Sequence, residues 1–293
     1  MGFSVLFALL LQPDPAALLP LYREALAAKE KRYGPSHLQA ARSASDLGLF
    51  LKKLGRNDEA RRYLESALEA DEGQLGRDHA TVCRDVENLA SVLPTVAALP
   101  LYQRASACPD SAIAARNLAR LGNLLQERGE LEEAYKAYKL ALQAEEKASG
   151  PEHANVAVRL NDLALIIEPP AAEPLLHRAL AIQRKRLGTE HPETGTTLSN
   201  LANVLLAIRR LTEAETAQRE ALQILESTLG PEHPRVAISC SNLADVLRAR
   251  RQFAAARKLY ERALRIDTKL YGPDHPEVKA DHENLAALLE EMR

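Results

Sequence analysis

A four-residue junction recurs along this chain and constrains its fold more than any other feature. It reads Gly34-Pro-Ser-His37, Gly76-Arg-Asp-His79, Gly150-Pro-Glu-His153, Gly188-Thr-Glu-His191, Gly230-Pro-Glu-His233 and Gly272-Pro-Asp-His275. The steps from 34 to 76, 188 to 230 and 230 to 272 are all 42 residues. A degenerate copy, Cys108-Pro109-Asp110, sits 42 residues before Gly150, which leaves shortened steps of 32 and 38 residues elsewhere. A length of 293 residues would ordinarily suggest about two compact domains, but a fixed period overrides that prior. The chain is an array of similar units, each too small to bury its own apolar face.

One full unit shows what is repeated. After Gly230 come Val236, Ser239, Leu243, Ala244 and Leu247 at helical spacing, which predicts a helix A. After a turn at Arg250-Arg251-Gln252, Phe253, Ala256, Leu259, Tyr260, Ala263, Leu264 and Ile266 predict a helix B that stops at Tyr271-Gly272-Pro273. Glycine can take the left-handed conformation that closes a helix, and the proline after it prevents continuation. Small residues recur inside helix B: Ala60, Ala134, Ala214 and Ala256 at one position, Ala67, Ala141, Ala221 and Ala263 at another. A larger side chain there would push neighbouring helices apart. The composition agrees, with 46% hydrophobic residues, only 4% aromatic and no Trp, so the apolar material is mostly the helix formers Ala and Leu. The expected fold class is all-α, a right-handed superhelical solenoid of stacked helix pairs with a concave inner wall.

The Leu-Gly or Leu-Ala pair in helix A, the two fixed alanines in helix B and the Leu-Gly-Pro-Glu-His-Pro junction resemble the kinesin-light-chain type of tetratricopeptide repeat. The resemblance covers nearly the whole chain, but no heptad coiled coil of the kind expected ahead of the repeats in a kinesin light chain is present in it. It implies a single solenoid over 1–293: a partial first repeat at 1–33, repeats at 34–75, 76–107, 108–149, 150–187, 188–229 and 230–271, and a lone helix A at 272–293. It also implies that helix A supplies the concave wall and that the wall holds a peptide segment of another protein. Two units, around 89–102 and 163–176, join helix A to helix B through a contracted, Pro-containing turn. Residues 1–12 read the same way, as the remnant of a first helix A, or alternatively as the core of a secretory signal. The apolar run Phe3 to Leu11 is too short to span a bilayer. At the other end, Leu285, Leu288 and Leu289 form an apolar edge open to association.

Chemistry finds no foothold in the sequence. Cys83, Cys108 and Cys240 are odd in number and lack any CxxC spacing, so they read as small packing residues, with neither a disulfide framework nor a zinc site. The junction histidines lie a repeat apart, roughly 10 Å or more in a solenoid and far beyond ligand distances near 2 Å. They are turn residues. No phosphate loop, GxSxG elbow or HExxH occurs, and the remaining Asp and Glu residues are expected on solvated faces. No enzyme, cofactor or metal is expected. With 38 basic and 40 acidic residues the chain lacks the basic stripe of a nucleic-acid binder, and no membrane contact is expected.

Function is then expected on helix A. Twelve residues after each junction Gly, or after Cys108, stand Asp46, Asn88, Arg120, Asp162, Asn200, Asn242 and Asn284. Short amides can bond the backbone of an extended peptide whatever its side chains; Asn203, one turn beyond Asn200, joins this set. Eight residues after each junction stand Arg42, Arg84, Arg116, Val158, Thr196, Ile238 and Ala280, so the first half of the wall is arginine-lined and the second half neutral. Asn88, Arg116 and Arg120 partly resemble the carboxylate clamp of some tetratricopeptide domains, although Ser45 and Leu49 stand where that clamp has Lys and Asn. The expected ligand is an extended, acidic segment of a protein partner held by Arg42, Arg84, Arg116 and Arg120, with Asn88, Asn200, Asn203, Asn242 and Asn284 on its backbone. Two alternatives stay open: the arginines pair with Asp46, Asp85 or Glu87 inside the array, or the chain is an architectural segment that works through its convex face or by end-to-end association at its C-terminal edge. A cytoplasmic location is expected, or a secreted or periplasmic one if residues 1–11 are a signal core.

Overall fold

The computed structural model describes residues 15–293. Residues 1–12, with the first helix A or signal core expected there, lie outside the described residues. After a short 3₁₀ turn at Pro15–Leu18, fourteen α-helices follow among the described residues, and no strand. They are α1 (Leu19–Tyr33), α2 (Leu38–Lys53), α3 (Asn57–Leu75), α4 (Ala80–Ala90), α5 (Thr95–Ser106), α6 (Ser111–Glu127) and α7 (Leu131–Ser149). Then come α8 (Ala154–Ala164), α9 (Pro169–Arg186), α10 (Pro192–Ala207), α11 (Leu211–Leu229), α12 (Pro234–Ala249), α13 (Phe253–Tyr271) and α14 (Pro276–Glu291). The order is B, six A/B pairs and a lone A. The contacts divide the chain into two compact units, residues 1–144 and 145–293, each with its own core.

The junction builds every A helix from both sides. Gly34, Gly76, Gly150, Gly188, Gly230 and Gly272 all have φ between 83° and 98°, the left-handed region that ends the preceding B helix. The histidine three residues on is the N-cap of the next helix, its Nδ1 accepting from the backbone N–H two residues later at 3.1–3.3 Å. In the degenerate copy Asp110 takes over, accepting from Ala112 and Ile113 at 2.9 and 3.2 Å. The six histidines are one device used six times, the satisfaction of a helix's free N–H groups. A second left-handed position falls 21 residues after four of the junctions, at the A-to-B turn. Gly55 and Gly129 fill it in the first unit, but Arg209 (φ 66°) and Arg251 (φ 61°) fill it in the second.

The cores follow the small residues. All eight helix B alanines named above are fully buried. In the first unit Gly48 and Gly122 add to the close approach, because a Cβ at either would lie 2.7 Å from Leu64 or Tyr138. The shortened units lose length where the prolines fall. α4 and α8 have 11 residues against 16 or 17 in the other A helices, and Pro100 and Pro174 sit inside α5 and α9.

Two expectations are corrected. Cys83 and Cys108 are not separate packing residues: their sulfurs form a disulfide across 25 residues, with the Cα atoms 6.1 Å apart. The shortened α5 returns the junction, with Cys108 in place of glycine, to the first turn of α4. Cys240 is free and buried, and burial pushes its thiol up to about 11. At the C-terminal edge Leu288 is fully buried against Tyr260 and Leu247, so of the three leucines only Leu289 stays well exposed.

Candidate functional site

The A helices of each unit are joined by a seam of short polar side chains that sets how much of the wall is free. Ser45, Asn161, Ser199 and Ser241 stand eleven residues after their junctions, and each reaches the next repeat. Ser45 Oγ donates to Asp85 Oδ1 at 3.3 Å and accepts from Asn88 Nδ2 at 3.4 Å. Asn161 Nδ2 donates to Thr197 Oγ1 at 2.8 Å, and its Oδ1 accepts from Asn200 Nδ2 at 3.0 Å. Ser199 Oγ accepts from Asn242 Nδ2 at 3.0 Å, and Ser241 Oγ donates to Asp281 Oδ1 at 3.3 Å. Asn88, Asn200 and Asn242 therefore each give one amide hydrogen to the seam. Their carbonyl oxygens and second hydrogens have no partner among the described residues. Asn284 is half-buried and Asn203 exposed, neither with a side-chain bond of its own.

In the first unit Arg42, Arg84, Asn88 and Arg116 line one pocket of about 750 Å³, between α2 and α4 and reaching α6. Arg42 and Arg84 are exposed and make no hydrogen bond or ion pair among the described residues. Arg116 does pair internally: its Nε and Nη2 approach the two oxygens of Glu87 at 3.4 and 3.2 Å. Arg120 Nε stands 4.0 Å from the same carboxylate. The four arginines of the two columns thus split into Arg42 and Arg84, without an ion pair among the described residues, and Arg116 and Arg120, which share one acid.

The pocket floor holds a pair of acids, which corrects the expectation that acidic residues lie on solvated faces. Asp71 of α3 and Asp85 of α4 are both 4% exposed. Asp85 Oδ2 is buried without a hydrogen-bond partner, and the Asp71 carboxyl is its acidic neighbour. Burial, then the bond to and charge of Asp71, push Asp85 up to about 7, with Ser45 and Arg84 pulling less strongly the other way. The second unit repeats the arrangement at the same register with Asp267 and Asp281, and Asp281 Oδ2 is likewise without a donor. Burial and the neighbouring Asp281 push Asp267 up to about 6.

Lys52, which does not belong to either column, also faces this wall. It stands near the end of α2 and donates to Ser91 Oγ at 2.8 Å. In the second unit the column eight residues after the junctions carries no arginine; Val158 and Ile238 stand 37% and 56% exposed there. Among the described residues no group of three or more His, Cys, Asp and Glu side chains is placed to hold a metal ion, and no helix is long and apolar enough to cross a membrane.

Family models for the tetratricopeptide repeat match residues 7–73, 168–227, 196–269 and 237–293, and a second model of the same description matches 117–155. The chain belongs to the tetratricopeptide repeat family. Its junctions and unit length resemble those of the kinesin-light-chain-like type. Among solved structures it is similar to BtubC (BKLC) from P. vanneervenii, with 19% identity and TM-score 0.52 over 87% of this chain and 94% of that one. It is also similar to a chain of the APC/C hetero-tetramer Cut9-Hcn1, with 15% identity and TM-score 0.61 over 94% of this chain and 48% of that one. TPR-like repeats assigned to a kinesin light chain of Podospora anserina match with 24% identity and TM-score 0.41, over 81% of this chain and 98% of that one. A comparison with curated proteins finds no sequence match. The two neighbours with TM-scores of 0.52 and 0.61 show the fold alone, and the tetratricopeptide family is in general a scaffold for protein–protein interaction.

Proposed function

We propose that this chain is a non-catalytic binding module whose helix A wall, in the first unit, takes an extended acidic segment of a protein partner. The observation that carries the reading is the pocket at Arg42 and Arg84: two exposed guanidinium groups with no ion pair or hydrogen bond among the described residues, Arg84 acting on the buried Asp85 through its charge alone, beside the half-used amide of Asn88. Unpaired arginines are matched to carboxylates in shape and charge, and on one wall their fields add. Arg116 and Arg120 extend the positive wall, though Glu87 already takes part of their charge. Asn200, Asn203, Asn242 and Asn284 would hold the backbone of a ligand at the second unit, through the hydrogens and oxygens that the seam leaves over. The test is a titration of the parent and of Arg42→Ala/Arg84→Ala with labelled acidic peptides at low and moderate salt. Each wet, exposed Arg contact contributes roughly 1 kcal/mol, so the double variant should bind about thirtyfold more weakly and with a shallower salt dependence. Equal affinity and equal salt slope for both proteins would refute the reading.

A further inference from the structure

Glu87 faces more positive charge than it can neutralise. Arg116 forks onto it from α6, and Arg120 of the same helix stands 4.0 Å from its Oε1. Lys52 comes from α2 on the other side and finds only neutral oxygen: its Nζ donates to Ser91 Oγ at 2.8 Å, and Ser91 in turn donates to Asn88 O at 2.6 Å. The Lys52 ammonium is held below its ordinary value by burial and then by the charge of Arg120, with Glu87 opposing less strongly, so the three groups share one field. A bond to Tyr102 of α5, a buried side chain, steadies Arg120. Two arginines meet one carboxylate while Lys52 stands within the same field, and the local surplus is two positive charges.

A single carboxylate from a ligand would balance half of that surplus. A phosphate monoester carries about −1.5 to −2 at neutral pH on one centre with three acceptor oxygens, and three separate donors can converge on it. We infer that Lys52, Arg116 and Arg120 form a subsite for a phosphorylated serine or threonine of the extended ligand, beside the Arg42/Arg84 pocket. This rests on the wall being the binding surface and adds a regulatory feature to it: phosphorylation of the partner would raise its affinity without changing the fold of either protein.

The experiment titrates labelled acidic peptide pools, alike except that the central position carries serine, phosphoserine or a Glu-Glu pair, against the parent, Lys52→Met and Arg42→Ala/Arg84→Ala. Denaturation midpoints confirm that the variants are folded. The parent should bind the phosphoserine pool roughly tenfold more tightly than the serine pool at neutral pH. That ratio should collapse near pH 5, where the phosphate, whose second pKa is about 6, becomes a monoanion. Lys52→Met should reduce the ratio to about twofold, weakening the phosphoserine pool far more than the serine pool, whereas Arg42→Ala/Arg84→Ala should weaken all pools alike. Three results would overturn the inference: a Glu-Glu pool that binds as tightly as phosphoserine, a Lys52→Met variant that weakens both pools equally, or inorganic phosphate that competes at the same concentration as the phosphopeptide. Failure of every pool to bind the parent would instead remove the groove reading and this subsite with it.

Discussion

Replacing Asp85 by asparagine should make the protein more stable, and the gain should grow as the pH rises from 5 to 8. Asp85 is 4% exposed, and burial, with the neighbouring Asp71 carboxyl, pushes it up to about 7 from an ordinary 3.8. The folded state therefore holds a proton that the unfolded chain loses near pH 4, and stability must fall as pH rises between those values and level off above about 7. A shift of this size corresponds to at most about 4 kcal/mol in total, of which on the order of 2 kcal/mol falls between pH 5 and pH 8. Asparagine keeps the acceptor for Ser45 and has no charge to bury. The third repeat already has Asn117 at this register, fully buried. Urea denaturation of parent and Asp85→Asn at a series of pH values measures the difference directly. A difference between the two proteins that is constant with pH, or one that shrinks as pH rises, would show that folding does not raise the Asp85 carboxyl.

Three other outcomes follow from the repeat register. Arg251→Gly should stabilise by about 0.5 to 1 kcal/mol, because Arg251 holds a left-handed φ of 61° at a position where Gly55 and Gly129 stand in other repeats; a lower denaturation midpoint would contradict it. Ala214→Leu should cost about 1 to 3 kcal/mol by overpacking a fully buried crossing, and an unchanged midpoint would mean the alanine faces open space. Reduction, or Cys83→Ser/Cys108→Ser, should lower stability by about 3 kcal/mol, as expected for a closed loop of this length, and identical melts with and without reductant would count against the bond.

The fold was legible because its punctuation is local. A glycine that must be left-handed, a cap three residues later and alanines at fixed helix B positions each act within a few residues, so their spacing alone yields the helices and their order. What was hidden depends on distance across repeats. The Cys83–Cys108 bond forms because α5 is short, which no cysteine spacing motif expresses. The acid pair Asp71 and Asp85 joins a B helix to the following A helix. Its signal was the same Asp spacing at 267 and 281, but amphipathic patterning alone does not tell a buried acid from an exposed one. The two columns on helix A brought Arg42, Arg84, Asn88 and Arg116 into one pocket. Periodicity could not say which arginines are free, because Glu87 stands one residue before the amide column and is reached from the next repeat. Lys52 was missed for a related reason: it lies roughly two turns beyond one column and three beyond the other, where the wall continues past the counted positions.

The central claim, that free arginines on the helix A wall choose an acidic ligand, is tested most directly by reversing their charge. A random peptide library selected on the parent and on Arg42→Glu/Arg84→Glu, with both proteins shown to be folded, reads out preference at each ligand position. The parent should enrich Asp and Glu, and the reversed protein should lose that enrichment and select Lys and Arg in its place. If the two proteins return the same sequences with the same affinity, the ligand does not touch Arg42 or Arg84 and the claim is wrong.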